Sequence, residues 1–329
     1  MKTIKILAAV ALLVSAVILT HGTAIAGSKQ QDDLFSVSFP IDQEGWTCGH
    51  SGTILHSFDG GNSWSQQKSG TDYTLASIFF PDQKNGWAVG DVGTILHTSD
   101  GGQSWRKQKS PAPYFLMSVW FADAQTGWIV TERTTILHTN DGGETWSVQF
   151  SDGDFILKAV SFADHQNGWA VGEFGYIYHT SDGGQTWEHQ AGMFDLSEET
   201  GEMIGGNFLF DLAVVSSQEA WVVGIDGYVA RTTDGGLNWH PVRGAPQTHL
   251  FGVLATQDGR IIVAGDATLI ETADSGATWR ELATAPSIRY GWLYRLASRG
   301  TAGYAAVGMG GWTYLGTPGK DSWYRGGIN

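Results

Sequence analysis

Asp59, Asp100, Asp141, Asp182, Asp234 and Asp274 each stand five residues ahead of a tryptophan. Carboxylates are the raw material of general acid–base catalysis and of cation binding. Recurrence argues for a humbler task, because a residue that returns at one place in every copy of a unit serves the unit. Five of the six precede a glycine pair, and Asp274 precedes Ser275-Gly276. Such a string builds a turn. The Asp side chain accepts backbone N–H groups that follow it, glycine supplies positive φ without steric cost, and the tryptophan packs its ring between sheets. His56, His97, His138 and His179 recur in the same way. Equivalent positions on packed sheets lie ~10 Å apart, whereas ligands sit ~2 Å from a shared zinc. These histidines are therefore expected to pack between units, and no metal or cofactor is expected.

The units that carry these residues can be counted. Trp64, Trp105, Trp146 and Trp187 stand 41 residues apart, and Trp239, Trp279 and Trp323 continue the series. The clearest copy is LASIFFPDQKNGWAVGDVGTILHTSDGGQSWRKQKS, residues 75–110. LASIFF, WAVG, TILHT and SWRKQ read as four short strands, A to D. Four-stranded units repeated round an axis predict an all-β, seven-bladed β-propeller spanning about residues 34–325. A solenoid fits less well, since this unit has hairpin turns throughout. The seventh copy keeps Trp323 but has Pro318 in the Asp place, and must close its turn differently.

The turn string is the Asp box, or BNR repeat. With its companion, as NGWAVGDVGTILHTSDGGQSW over residues 85–105, it resembles the photosystem II stability and assembly factor family of β-propellers. The resemblance covers essentially residues 34–325. It implies a non-enzymatic protein that binds another exported protein or a membrane-protein segment. Asp boxes also occur in sialidases and xyloglucanases, so the alternative is a carbohydrate-active propeller, either a glycosidase or a lectin-like binder. The Arg-Ile-Pro or Arg-Leu-Pro element of sialidases is absent; the nearest string, Phe39-Pro40, has no arginine. No G-x-S-x-G, H-E-x-x-H or Walker-type loop occurs.

The first 26 residues read as a signal peptide. Lys2 and Lys5 precede an apolar run from Ile6 to Leu19, and Ala24-Ile25-Ala26 offers a cleavage site. The run is shorter than the ~20 residues a membrane span needs. The expected mature protein, 27–329, is a single propeller domain, periplasmic or secreted, not membrane-spanning, and monomeric. The chain's formal charge is −14. Nucleic acid is a poor partner for such a surface, since phosphate binding needs a basic patch. Cys48 is the single cysteine, so no intrachain disulfide is possible, and stability must come from packing.

Function in a repeat protein belongs to the positions that break the repeat. In a four-stranded blade the C–D turns share one face, and the B–C and D–A connections share the other. The Asp-box face is standardised; the opposite face is free to vary. Its B–C turns carry His50, Asp91, Glu132, Glu173, Asp226 and Asp266. Its D–A connections carry Tyr73, Tyr114, Phe115, Phe155, His249, Arg289, Tyr290 and Trp292. Acid with interleaved aromatics suits a polypeptide or glycan ligand; it also suits a solvated rim with aromatics tucked beneath. In strand A the column of Ser77 becomes Asp211 and Arg295 in two units, and Lys158 sits one position earlier in its own. Charges there either pair across the channel or meet a partner. The third unit loses two turn glycines to Thr131 and Thr134, with Glu132 and Arg133 between them. An insertion near 193–207, with Asp195, Glu198, Glu199 and Glu202, borders the same face, and Asp195-x-x-Glu198 could start a helical turn. The expected partner-binding set is thus Arg289, Tyr290, Trp292, Arg295, Glu132, Arg133, Asp211 and Lys158.

Overall fold

The computed structural model describes residues 31–196 and 203–328. The expected leader and Glu198, Glu199 and Glu202 lie outside them. Seven antiparallel sheets follow one another along the chain, each in the order A-B-C-D. The seven A strands are Leu34–Ser38, Leu75–Phe79, Leu116–Phe121, Leu157–Phe162, Leu209–Val214, Leu250–Ala255 and Leu293–Ser298. Each touches the next, and the last touches the first, so they line the axis of a closed ring. Helix among the described residues is confined to three-residue 3-10 turns. The seven-bladed propeller expected from the repeat is the architecture found.

Ring closure uses the C-terminus. Gly327–Ile328 adds a parallel fifth strand outside Ser63–Gln67 of blade one. Ala283–Ala285 likewise lies parallel to Ser322–Arg325 of blade seven. Residues 31–33 form no strand. Asp33 instead accepts a bond from the Gly310 N–H at 2.6 Å, joining blade one to blade seven.

The recurrent Gly-Trp pair has a packing cause. A Cβ on Gly86 would lie 2.2 Å from the Phe80 ring, which rests on that glycine. Phe80 also stacks at 3.8 Å on Trp46 of the preceding blade, and Trp46 stacks on His56 at 4.3 Å. Trp87 holds Phe121 and His97 in the same way. The repeated histidines are thus layers in the mortar between blades. Where the repeat changes, volume is conserved across strands. Phe121 faces Gly127, Val214 faces Ala220, Ala255 faces Ile261 and Ser298 faces Tyr304. As one partner shrinks the other grows, as close packing demands.

The Asp boxes form one hydrogen-bonded design. In blade three the Thr139 hydroxyl donates to Asp141 Oδ1 at 2.8 Å and accepts from the Gly143 N–H at 2.8 Å. Asp141 accepts from the Thr145 N–H at 2.9 Å and from its hydroxyl at 2.6 Å. Blade seven, with Gly316 and Pro318 in the turn, closes through a Lys320 N–H to Thr317 carbonyl bond of 3.1 Å. Trp64, Trp146, Trp187 and Trp323 are buried, whereas Trp105, Trp239 and Trp279 are half-buried. The insertion holds a hairpin, Phe194–Leu196 against Met203–Gly205. Asp195 therefore lies in a strand and starts no helical turn; the Met193 N–H donates to the Phe174 carbonyl, which ties the hairpin to blade four.

Candidate functional site at the channel mouth

The B–C turns and D–A connections share one face because they bond to each other. The Asp91 N–H donates to the Thr74 carbonyl, Glu173 to Ile156, Ile225 to Phe208 and Met309 to Trp292. The Asp boxes bond instead to the A–B turns, as the Gly142 N–H does to the Gln125 carbonyl.

Near this variable face each A strand carries an irregularity at one column, between Leu34 and Ser36 in blade one and at its equivalents. The column holds Phe35, Ala76, Met117, Lys158, Phe210, Phe251 and Tyr294. Its side chains meet round the axis. Phe210 lies 5.2 Å from Phe251, Phe251 stacks on Tyr294 at 5.5 Å, and Tyr294 meets Phe35 at 5.6 Å. Trp292 extends the arc by stacking parallel to Phe35 at 6.2 Å. The Lys158 ammonium closes the other end, 5.9 Å from the Phe210 ring. This aromatic arc was readable as the column one place before Ser77. It was missed because one side of an alternating strand looks like core until the axis is known.

One column deeper the repeat is structural. Ser36 Oγ accepts from the Ile78 N–H at 3.1 Å, and Ser77 Oγ from Val119 at 3.2 Å. Asp211 takes this place in blade five, and its Oδ2 accepts from the Val253 N–H at 3.1 Å. Its Oδ1 forms an ion pair with Arg295 Nη1. Burial pushes the Asp211 carboxyl up, and the Arg295 guanidinium opposes that. Asp211 is buried and its oxygens are engaged, so it holds blades together and offers a partner little.

The other expected residues fall into separate groups. Arg289 and Tyr290 project from the connection into blade seven, with the guanidinium 5.6 Å from the Tyr290 ring and Tyr290 84% exposed. Trp292 and Arg295 continue that connection inward. Arg133 covers the Tyr114 ring at 4.6 Å and lies 3.8 Å from Asp154. Glu132 accepts from the Phe115 N–H at 3.2 Å, as Glu173 accepts from Ile156 at 2.9 Å. Two acids of the rim are therefore partly spent on fixing their own connections. Thr134 occupies a glycine's place at φ 43°, a left-handed conformation that a β-branched residue rarely adopts. Its hydroxyl and N–H both bond to the Phe155 carbonyl, at 2.7 and 2.6 Å, which holds the strained turn. A cavity of about 390 Å³ lies farther out on the same side of blade five, beside Asn207, Asp226, Tyr228 and Arg243.

The family model described as Photosynthesis system II assembly factor YCF48 matches residues 25–112 and 105–203. A comparison with curated proteins returns no match. Among solved structures, YCF48 bound to a D1 peptide is 18% identical, with a TM-score of 0.69 over 89% of this chain and 97% of that one. YCF48 from Cyanidioschyzon merolae is also 18% identical, with a TM-score of 0.70 over the same shares. The GH74 xyloglucanase from Xanthomonas campestris is 12% identical, with a TM-score of 0.72 over 93% of this chain and 56% of that one. At these identities the likeness to solved structures is one of fold.

Proposed function

The chain belongs to the Photosynthesis system II assembly factor YCF48 family, and on that premise we propose that it is a non-enzymatic, extracytoplasmic interaction propeller. It holds a segment of another exported or membrane protein at the channel mouth. The observation that carries this reading is the aromatic arc from Phe210 round to Trp292, continued outward by the exposed Tyr290. Aromatic and arginine side chains give large contact area with directed hydrogen bonds, which is why they dominate binding hot spots. The D1 peptide carried by one YCF48 structure supports a polypeptide ligand here too. Export is proposed from the leader-like first 26 residues, and a monomer from the closed ring.

Capture from an envelope or membrane extract by the mature protein, 27–329, tests the reading. The partner should be retained by the wild type and lost with Trp292→Ala. Unchanged capture by Trp292→Ala and Arg289→Ala, together with loss on an Asp-box-face substitution, would place binding on the other side. Glycan binding is the competing reading, since sugars also stack on aromatic rings. Hydrolysis of xyloglucan or of sialosides by the mature protein would favour it.

A further inference from the structure

Lys158 is the one charged member of the column that forms the arc. It is 8% exposed, and among the described residues it has no hydrogen-bond or ion-pair partner. The column does not need a cation, because the other six blades fill it with Phe35, Ala76, Met117, Phe210, Phe251 and Tyr294. A mostly buried lysine side chain without an anion is costly to keep charged. A methionine there, as in blade three, would avoid that cost.

Nearby charges do not quench it. Glu173 acts on Lys158 through space, but its carboxylate accepts from the Ile156 N–H at 2.9 Å and forms no ion pair with the lysine. Asp211 is engaged by Arg295 and by Val253. Arg295 is correspondingly committed to Asp211. The wall therefore presents one uncompensated positive charge at the end of an apolar arc, within a chain of net charge −14. One unpaired cation at the end of an apolar arc matches a single carboxylate in charge.

We propose that the channel mouth is a receptor for an acidic side chain, Asp or Glu, carried between apolar residues on an extended polypeptide segment. Lys158 takes the carboxylate, and the Phe210–Phe251–Tyr294–Phe35 arc takes the apolar neighbours. This deepens the proposed function and rests on it for the polypeptide nature of the ligand.

Fluorescence anisotropy tests it with two labelled, amidated peptides, Ser-Leu-Phe-Glu-Phe-Leu-Ser and the same peptide with Gln for Glu. Wild-type protein should bind the Glu peptide about tenfold more tightly, the size of a charge-assisted hydrogen bond. Lys158→Met should erase that preference, and Lys158→Arg should keep it. Trp292→Ala should weaken both peptides alike. The melting temperature of Lys158→Met should equal or exceed that of the wild type, because the unpaired cation is gone. Equal affinity for the two peptides, no binding of either at millimolar concentration, or a preference that survives in Lys158→Met would overturn the carboxylate role. Displacement of the Glu peptide by equimolar acetate would show a receptor for small carboxylates instead. Failure of the wider reading looks different, since partner capture would then be indifferent to Trp292→Ala.

Discussion

Asp211 and Arg295 belong to blades five and seven, yet their side chains form an ion pair past the inner strand of blade six. The same column in blade six is Gly252, where a Cβ would come within 2.8 Å of the Tyr294 carbonyl oxygen. Three consecutive departures from the serine column are thus one device. Blade six gives up its side chain, and the blades on either side join through charges.

Removing one partner of this pair should be worse than removing both. Arg295→Met leaves Asp211 buried with a charge and no guanidinium, and should cost about 3–5 kcal/mol. Combining Asp211→Ser with Arg295→Ser returns the column to the residue of blades one to three. Its loss should fall well short of the sum of the single losses. Urea titration of the wild type, the two single serine variants and the double variant gives the coupling, and additive losses would show that the pair contributes nothing.

Arg299 should matter for ring closure. In blades one and two the strand-B tryptophan donates its indole N–H to the next box, Trp46 to the Gly101 carbonyl and Trp87 to Gly142, both at 3.3 Å. Blade seven has Ala305 in that place, and Arg299 donates to the Gly60 carbonyl at 2.7 Å in its stead. Arg299→Met should lower stability by about 1–3 kcal/mol, since it leaves a buried acceptor unpaired. Amide exchange should speed up first at the blade-seven to blade-one junction, and uniform acceleration would contradict the role.

The repeated tryptophans should differ in weight. Trp146 is 7% exposed, packs edge-on against Phe121 and donates to Gln108. Trp146→Ala should cost about 3–5 kcal/mol through the cavity it leaves. Trp279 is half-buried, and its truncation should cost clearly less. Equal losses in denaturant titration would mean that burial does not set the contribution.

The boxes should make the fold acid-sensitive. The Thr145 hydroxyl and N–H hold the Asp141 pKa down to about 2, and Asp234 and Asp274 are held there by Asn238 and Thr278. A folded-state pKa below the unfolded value of about 3.9 favours folding wherever the unfolded carboxylate is ionised. That contribution is full above the unfolded value and disappears as pH falls through the folded one. Melting temperature should therefore drop between pH ~4 and ~2, and Asp141→Asn should flatten that slope. A slope unchanged in the variant would remove Asp141 from the account.

Partner affinity should depend on the connection into blade seven. Trp292→Ala or Arg289→Ala should weaken the complex by roughly 2 kcal/mol, as hot-spot truncations do. Arg133→Ala, whose guanidinium already covers Tyr114 and faces Asp154, should have the smaller effect. Titration of the three variants against the captured partner checks the order.

The sequence alone determined the blade count, the strand order within a blade and the face that varies. Each follows from local periodicity: a tryptophan every 41 residues or so, two-residue alternation, and Asp and Gly wherever the chain must turn. It also singled out Asp211, Arg295 and Lys158 as anomalies but could not sort them. Their meaning depends on which blades stand across the axis and on what lies within a few ångströms, and no column of a repeat contains that information. Only the closed ring could show that Asp211 and Arg295 satisfy each other while Lys158, one column away, has no such partner. The aromatic arc became a surface for the same reason. Side chains that alternate along a strand have no inside or outside until seven strands converge on an axis.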